Sequence, residues 1–255
     1  MRNKLIRAIV LVLVVGIFMA MAIGSGSSDT PASQGTNNDT PSPASQGQNT
    51  EPAKQEKVEY TLGETSVAIW TSSIGTNWIR VAIPVKNTGD VNLYLETSSV
   101  DVENADGSLA QTLNMVSAFP QIIKPGETAY YFEETTYDGT NTEGLKVVPH
   151  VKAEKAKVDL IRLEVSDLQI KDGTFGTKLI GRVQNTTDKK LSLVYVVANY
   201  YDKDGKFIGQ QFTILTDDLP AGEKVGFETS ALSSQITSDD IASYDVIAYP
   251  FQYQW

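Results

Sequence analysis

Two aspartates in "NYYDKDGKFIG", residues 199–209, stand at the alternate spacing that calcium-binding loops use. An EF-hand loop also needs Gly at its sixth position and Glu at its twelfth. Counted from Asp202, those positions hold Phe207 and Thr213, so the pattern fails. The flanking runs "SLVYVVANYY" and "KFIGQQFTIL" instead make Asp204-Gly205 the tip of a β-hairpin. Asp202 and Asp204 are thus weak metal candidates, and no cofactor is expected.

The other residues able to do chemistry are few. His150, in "LKVVPHV", is the sole histidine, and the chain has no cysteine. Thiol nucleophiles, disulfides and Cys/His zinc sites are therefore ruled out. A hydrolase would have to rest on His150 or on a pair of carboxylates, and among 31 acidic residues such pairs arise without selection. No G-x-S-x-G and no phosphate-cradling glycine loop occurs. The aspartates of "TSDDIASY" suit a short helix start, capped by Thr237 or Ser238 with Asp239 and Asp240 in the first turn.

Aromatic residues offer more. In "VIAYPFQYQW" an extended strand puts Ile247, Tyr249, Phe251, Tyr253 and Trp255 on one face. That face either closes the core of a final strand, with Pro250 marking an edge or bulge, or overhangs it as a docking platform for a partner. Tyr249, Phe251, Tyr253 and Trp255 are the candidate binding residues. Trp70 and Trp78, flanking "TSSIGTN", admit the same two readings.

These residues sit in a chain of 255 with 21 basic and 31 acidic side chains, a field that repels nucleic acid and anionic lipid. Arg2, Lys4 and Arg7 precede the apolar run Ala8–Ile23, which reads as a secretory signal or a membrane anchor over residues 1–24. Peptidase sites follow Ala22 and Gly24, so cleavage and retention both stand; either way the remainder is exported. With no cysteine, a lipid anchor is excluded. Residues 25–57, rich in Ser, Thr, Pro, Gln and Asn, lack the apolar surface to fold and read as a disordered tether.

From Val58 the texture changes to short apolar runs broken by Gly, Asn, Asp and Pro. In "NWIRVAIPVKNTGD" the residues Ile79, Val81, Ile83 and Val85 alternate with Arg80, Ala82, Pro84 and Lys86, the period of a half-buried strand. Three turn signals then recur in order. Asn87-Thr88 and Asn185-Thr186 are 98 residues apart, as are Asp106-Gly107 and Asp204-Gly205, while Gly126-Glu127 and Gly222-Glu223 are 96 apart. The spacing predicts a tandem pair of antiparallel β-sandwiches, 58–151 and 158–255, with a charged hinge at 152–157. The asparagines are expected to end their strands by adopting the left-handed conformation.

The second unit resembles the FxLYD domain through "GRVQNTTDKKLSLVYVVANYYDKDGKFIG" and "LPAGEKVGFE". Its namesake strand is degenerate, keeping Tyr201 and Asp202 but carrying Ala198 for Phe and Tyr200 for Leu. The first unit is a weaker relative through "VAIPVKNTGDVNLYLETSSVDVENADG" and "IKPGETAYYFE". The resemblance implies an immunoglobulin-like sandwich on the outside of a bacterial cell and brings no catalytic residues. The expected function is a non-catalytic cell-envelope module binding a protein or glycan, the partner being basic because residues 58–255 carry 27 acids against 16 bases. An envelope hydrolase using His150 or a carboxylate pair is the alternative.

Overall fold

The computed structural model describes residues 56–173, 176–232 and 235–252. The segment read as signal or anchor, nearly all of the tether, and Tyr253 and Trp255 lie outside the described residues. Among the described residues no helix is long and apolar enough to cross a membrane.

The chain is all-β. The first unit holds β1 (Tyr60–Leu62), β2 (Ser66–Thr71), β3 (Asn77–Asn87), β4 (Leu93–Leu95), β5 (Ser98–Glu103), β6 (Leu109–Val116), β7 (Ala118–Phe119), β8 (Ile122–Ile123), β9 (Thr128–Thr136), β10 (Lys146–Pro149) and β11 (Ala153–Lys155). The second holds β12 (Glu164–Gly173), β13 (Gly176–Gln184), β14 (Val194–Tyr201), β15 (Phe207–Leu215), β16 (Lys224–Glu228) and β17 (Ser243–Pro250). All pairings are antiparallel: β1-β3-β9-β7 with β2 also on β3, β10-β5-β6, β11-β4-β8, β12-β13-β16 and β15-β14-β17.

Alternation decides which face is buried. Ile79, Val81, Ile83 and Val85 of β3 are all fully buried and pack against Val100 and Val102 of β5 and Leu113 of β6. Leu179 and Val183 of β13 play the same part against Val196, Ala198 and Tyr200 of β14. Each fully buried aliphatic side chain contributes about 1.5–3 kcal/mol, so these rows hold the layers together. The stretch read as a hinge contains β11, paired residue for residue with β4 from Ala153↔Leu95 to Lys155↔Leu93.

The repeat extends to individual hydrogen bonds. In the β5–β6 turn, Asn104 N–H donates to Ser108 O and Gly107 N–H to Asn104 O; in the β14–β15 turn, Asp202 N–H donates to Lys206 O and Gly205 N–H to Asp202 O. Gly107 and Gly205 carry φ of 84° and 74°, values that favour glycine. Asp202 Oδ1 accepts the N–H groups of Asp204 and Lys206, both at 2.9 Å, so this carboxylate builds the turn. Among the described residues no group of three His, Asp or Glu side chains could hold a metal ion.

Asn87 and Asn185 correct the expected physics of the strand ends. Neither has a positive φ. Each is fully buried, and its side chain does the work. Asn87 Nδ2 donates to Val91 O and Ile123 O at 2.8 and 3.0 Å, while Oδ1 accepts from Gly89 N–H. Asn185 Nδ2 donates to Lys189 O and Leu219 O at 2.7 and 2.9 Å, while Oδ1 accepts from Thr187 N–H. Each amide satisfies the backbone where the chain leaves one sheet for the other. Ser238–Asp240 forms the short helical turn expected there, of 3-10 type, with Asp240 Oδ2 accepting from Thr237 N–H and hydroxyl.

Candidate functional site

β14 is buried on both faces. Val194, Val196, Ala198 and Tyr200 point into the second sandwich, whereas Tyr195 and Val197 belong to a separate cluster with Ile122, Leu160, Ile247 and Tyr249. That cluster joins the two sandwiches. Aromatic pairs extend it: Phe119 lies 6.1 Å from Tyr195 and 5.2 Å from Phe212, and Phe207 lies 3.9 Å from Tyr130 and 5.8 Å from Phe132. Such pairs are worth about 0.5–1.5 kcal/mol each beyond the area they bury. Two side-chain amides in the seam are matched: Gln210 Nε2 donates to Asn199 Oδ1 at 2.7 Å, and Asn199 Nδ2 to Asp245 Oδ2 at 3.2 Å. Burial first, then hydrogen bonding to Asp245 and Tyr130, holds the Tyr201 hydroxyl far above its ordinary range.

Through Pro250 the terminal strand divides its side chains between two cores. Ala248 fills the core of the second sandwich, while Ile247 and Tyr249 face the first sandwich across the seam. Tyr249 is buried, with its ring 5.6 Å from Tyr195 and the planes 8° apart, so it is no platform. Its hydroxyl has no hydrogen-bond partner among the described residues. Phe251 is partly exposed, 6.0 Å from Tyr195. Pro250 ends β17, an edge strand, where a missing N–H is harmless. Trp70 and Trp78 are cross-strand partners stacked at 6.4 Å, with the Arg80 guanidinium 5.1 Å above Trp70.

His150 sits on the first sandwich, half exposed, with Nε2 2.8 Å from Asp101 Oδ2. The Thr112 hydroxyl, at 2.6 Å, and then His150 hold the Asp101 carboxyl below its usual range. The Ser98 hydroxyl donates to the backbone carbonyl of His150 and not to its ring. The repeat explains this pair. Asp101↔Thr112 on β5 and β6 corresponds to Asn199↔Gln210 on β14 and β15, 98 residues on. The face that docks in the second sandwich is thus polar and solvated in the first.

Where the two sandwiches part, a cleft of about 250 Å³ opens. Phe119, Phe132, Glu133 and Glu134 line it from the first sandwich; Gln210, Gln211, Phe212 and Ser230 from the second. Its floor is satisfied: Gln211 Oε1 accepts from the hydroxyls of Tyr200 and Thr229, and its Nε2 donates to Thr177 O. Glu134 is tied to Arg80 at 2.8 Å. Glu133 differs. It is partly buried, and among the described residues its carboxylate has neither a hydrogen-bond nor an ion-pair partner. Burial first, and the Glu134 charge second, push its carboxyl above the ordinary range.

Sequence reasoning passed over this site. "YYFEETT" reads as a strand running out into polar residues, and nothing in it says that a second module meets Phe132. One signal was present. "VYVVANYY" is nearly continuous in apolar residues, as strands buried on both faces are. No family model matches the chain, and no curated protein shows significant sequence similarity to it.

Proposed function

We propose that this chain is a non-catalytic binding module of the cell envelope, exported by its N-terminal segment and presenting its paired sandwiches outside the membrane to a basic partner. Support for export and tethering comes from the leader and the Ser/Thr/Pro-rich stretch, together with the FxLYD-like motifs. The observation that carries the binding role is the shared cleft. Both repeats contribute aromatic side chains to it, and the Glu134–Arg80 ion pair stands beside them. The electrostatics favour a basic ligand and disfavour nucleic acid.

A photo-crosslinking residue in place of Phe212, which is 43% exposed at the cleft, tests the role in cells. A specific envelope adduct is expected there and not from Leu109, exposed on the first hairpin. Equal labelling from both positions would remove the reading.

One observation favours the alternative. A partly buried carboxyl with a raised pKa, as at Glu133, is also the mark of a general acid. In that reading Glu133 would protonate a leaving group, and Glu133→Gln would abolish turnover of an envelope glycan. Glu134, its neighbour in sequence, is already engaged by Arg80 at 2.8 Å, which argues against it as a partner base or nucleophile.

A further inference from the structure

We propose that the chain binds a second copy of itself head to tail, the β5–β6 hairpin of one copy seating on the outer face of β13 and β16 in the next. The contact repeats between chains the seam found within one chain, and it does not depend on the reading of the cleft.

Correspondence of the two repeats is the first argument. The seam sets Phe207, just after the second hairpin turn, against Tyr130 and Phe132 of the first sandwich. The counterpart of Phe207 is Leu109, 98 residues earlier: Glu103↔Leu109 matches Tyr201↔Phe207, and the register shifts one pair before each. Leu109 is 61% exposed, so the first hairpin leaves its docking residue uncovered. On the receiving side, Pro84↔Tyr130 corresponds to Arg182↔Gly226, and Ala82↔Phe132 to Ile180↔Glu228. Phe227 belongs to the core, so Gly226 and Glu228 face outward.

Shape is the second argument. Where the first sandwich carries Tyr130, the second has Gly226, and a shallow groove of about 670 Å³ opens there beside Ile180 and Arg182. A Cβ at Gly226 would meet nothing closer than 3.8 Å. Leu109 of a second copy fills this space against Ile180. Charge is the third. In a chain of net charge −10, the outer face of β12, β13 and β16 is net positive, with Lys171, Lys178, Arg182 and Lys224. They outnumber Glu164, Asp167 and Glu228 there. The hairpin face is net negative, Asp101, Glu103 and Asp106 outnumbering Lys146 and His150. Docking as in the seam brings Glu103, the counterpart of Tyr201, to Gly226, whose cross-strand neighbour is the exposed Arg182. Opposite faces attract and like faces repel, which favours a head-to-tail contact over a symmetric one. Both halves lie on one chain, so the partner that fits is another copy.

The test is sedimentation velocity of the full chain in detergent over a range of concentrations. Dimers and longer chains are expected, weakening in about 0.5 M salt as the charges are screened. Leu109→Asp on the hairpin and Arg182→Glu on the sheet should each weaken self-association at least about tenfold. Both side chains are exposed, so neither change touches a core. Their mixture is the sharper sample. One variant keeps its sheet face and the other its hairpin, so a 1:1 dimer should form and nothing longer. A wild type that stays monomeric up to about 1 mM, or a mixture no more associated than its components, would overturn the proposal. A photo-crosslinking residue at Leu109 should give an adduct of two copies of this chain and no other component. An adduct with a different protein in its place would also overturn it.

Discussion

Phe207 lies flat on Tyr130, ring centroids 3.9 Å apart and planes 10° from parallel. The first residue comes from the start of β15, just after the Asp-Gly turn of the second sandwich; the second comes from β9 of the first. The repeated hairpin is therefore both a local turn and the contact through which one module grips the other. Phe207→Ala should cost about 2 kcal/mol in urea unfolding, less than a fully buried Phe because Phe207 is partly exposed. A double-mutant cycle with Tyr130→Ala should show a coupling of about 1 kcal/mol. Additive losses would mean that the rings do not support each other.

Asn87→Ala and Asn185→Ala should each lose about 2 kcal/mol or more, because each strands buried backbone groups now served by one amide. Similar losses at the two sites are expected, since the two bond sets match. A change below about 0.5 kcal/mol at either, the range of ordinary surface substitutions, would show that water replaces the amide there.

Asp202→Ala should cost about 1 kcal/mol through the lost bonds to the N–H groups of Asp204 and Lys206. Calcium or a chelator should leave the melting temperature of the full chain unchanged. A calcium-dependent rise that disappears in Asp202→Ala would restore the metal-loop reading.

Glu133→Gln should raise the melting temperature near neutral pH by about 2 °C. The sign follows from linkage. Burial lifts the folded-state carboxyl above its unfolded value, so the ionised group is a penalty at higher pH that fades as pH falls through the raised value. Below the unfolded value the wild type and variant should converge. A variant less stable at neutral pH would mean that Glu133 has a stabilising partner.

Much of the architecture was legible because it depends on local rules. Period-two alternation in Ile79–Val85 specifies a buried face, and Asp-Gly pairs 98 residues apart specify matching hairpins. The asparagines were recognised as strand ends for the wrong reason, since a buried side-chain amide and a left-handed backbone favour the same residue type. Tyr249 was recognised as a face but not as a seam. Alternation says that Ile247 and Tyr249 share a side, and only the packing of two modules says that this side meets Ile122 and Leu160. The cleft was least legible. Phe119 and Phe212 are brought together by docking, and no pattern within either repeat encodes a contact between them.

A two-dimensional NOE spectrum of the full chain, with Tyr and Phe ring protons assigned, probes the joined seam in solution. Cross-peaks are expected between the rings of Tyr130 and Phe207, and between Phe119 and Tyr195, at the 3.9 and 6.1 Å centroid separations of the seam. Their absence, with contacts inside each sandwich still visible, would mean that the modules move independently and that no shared cleft exists.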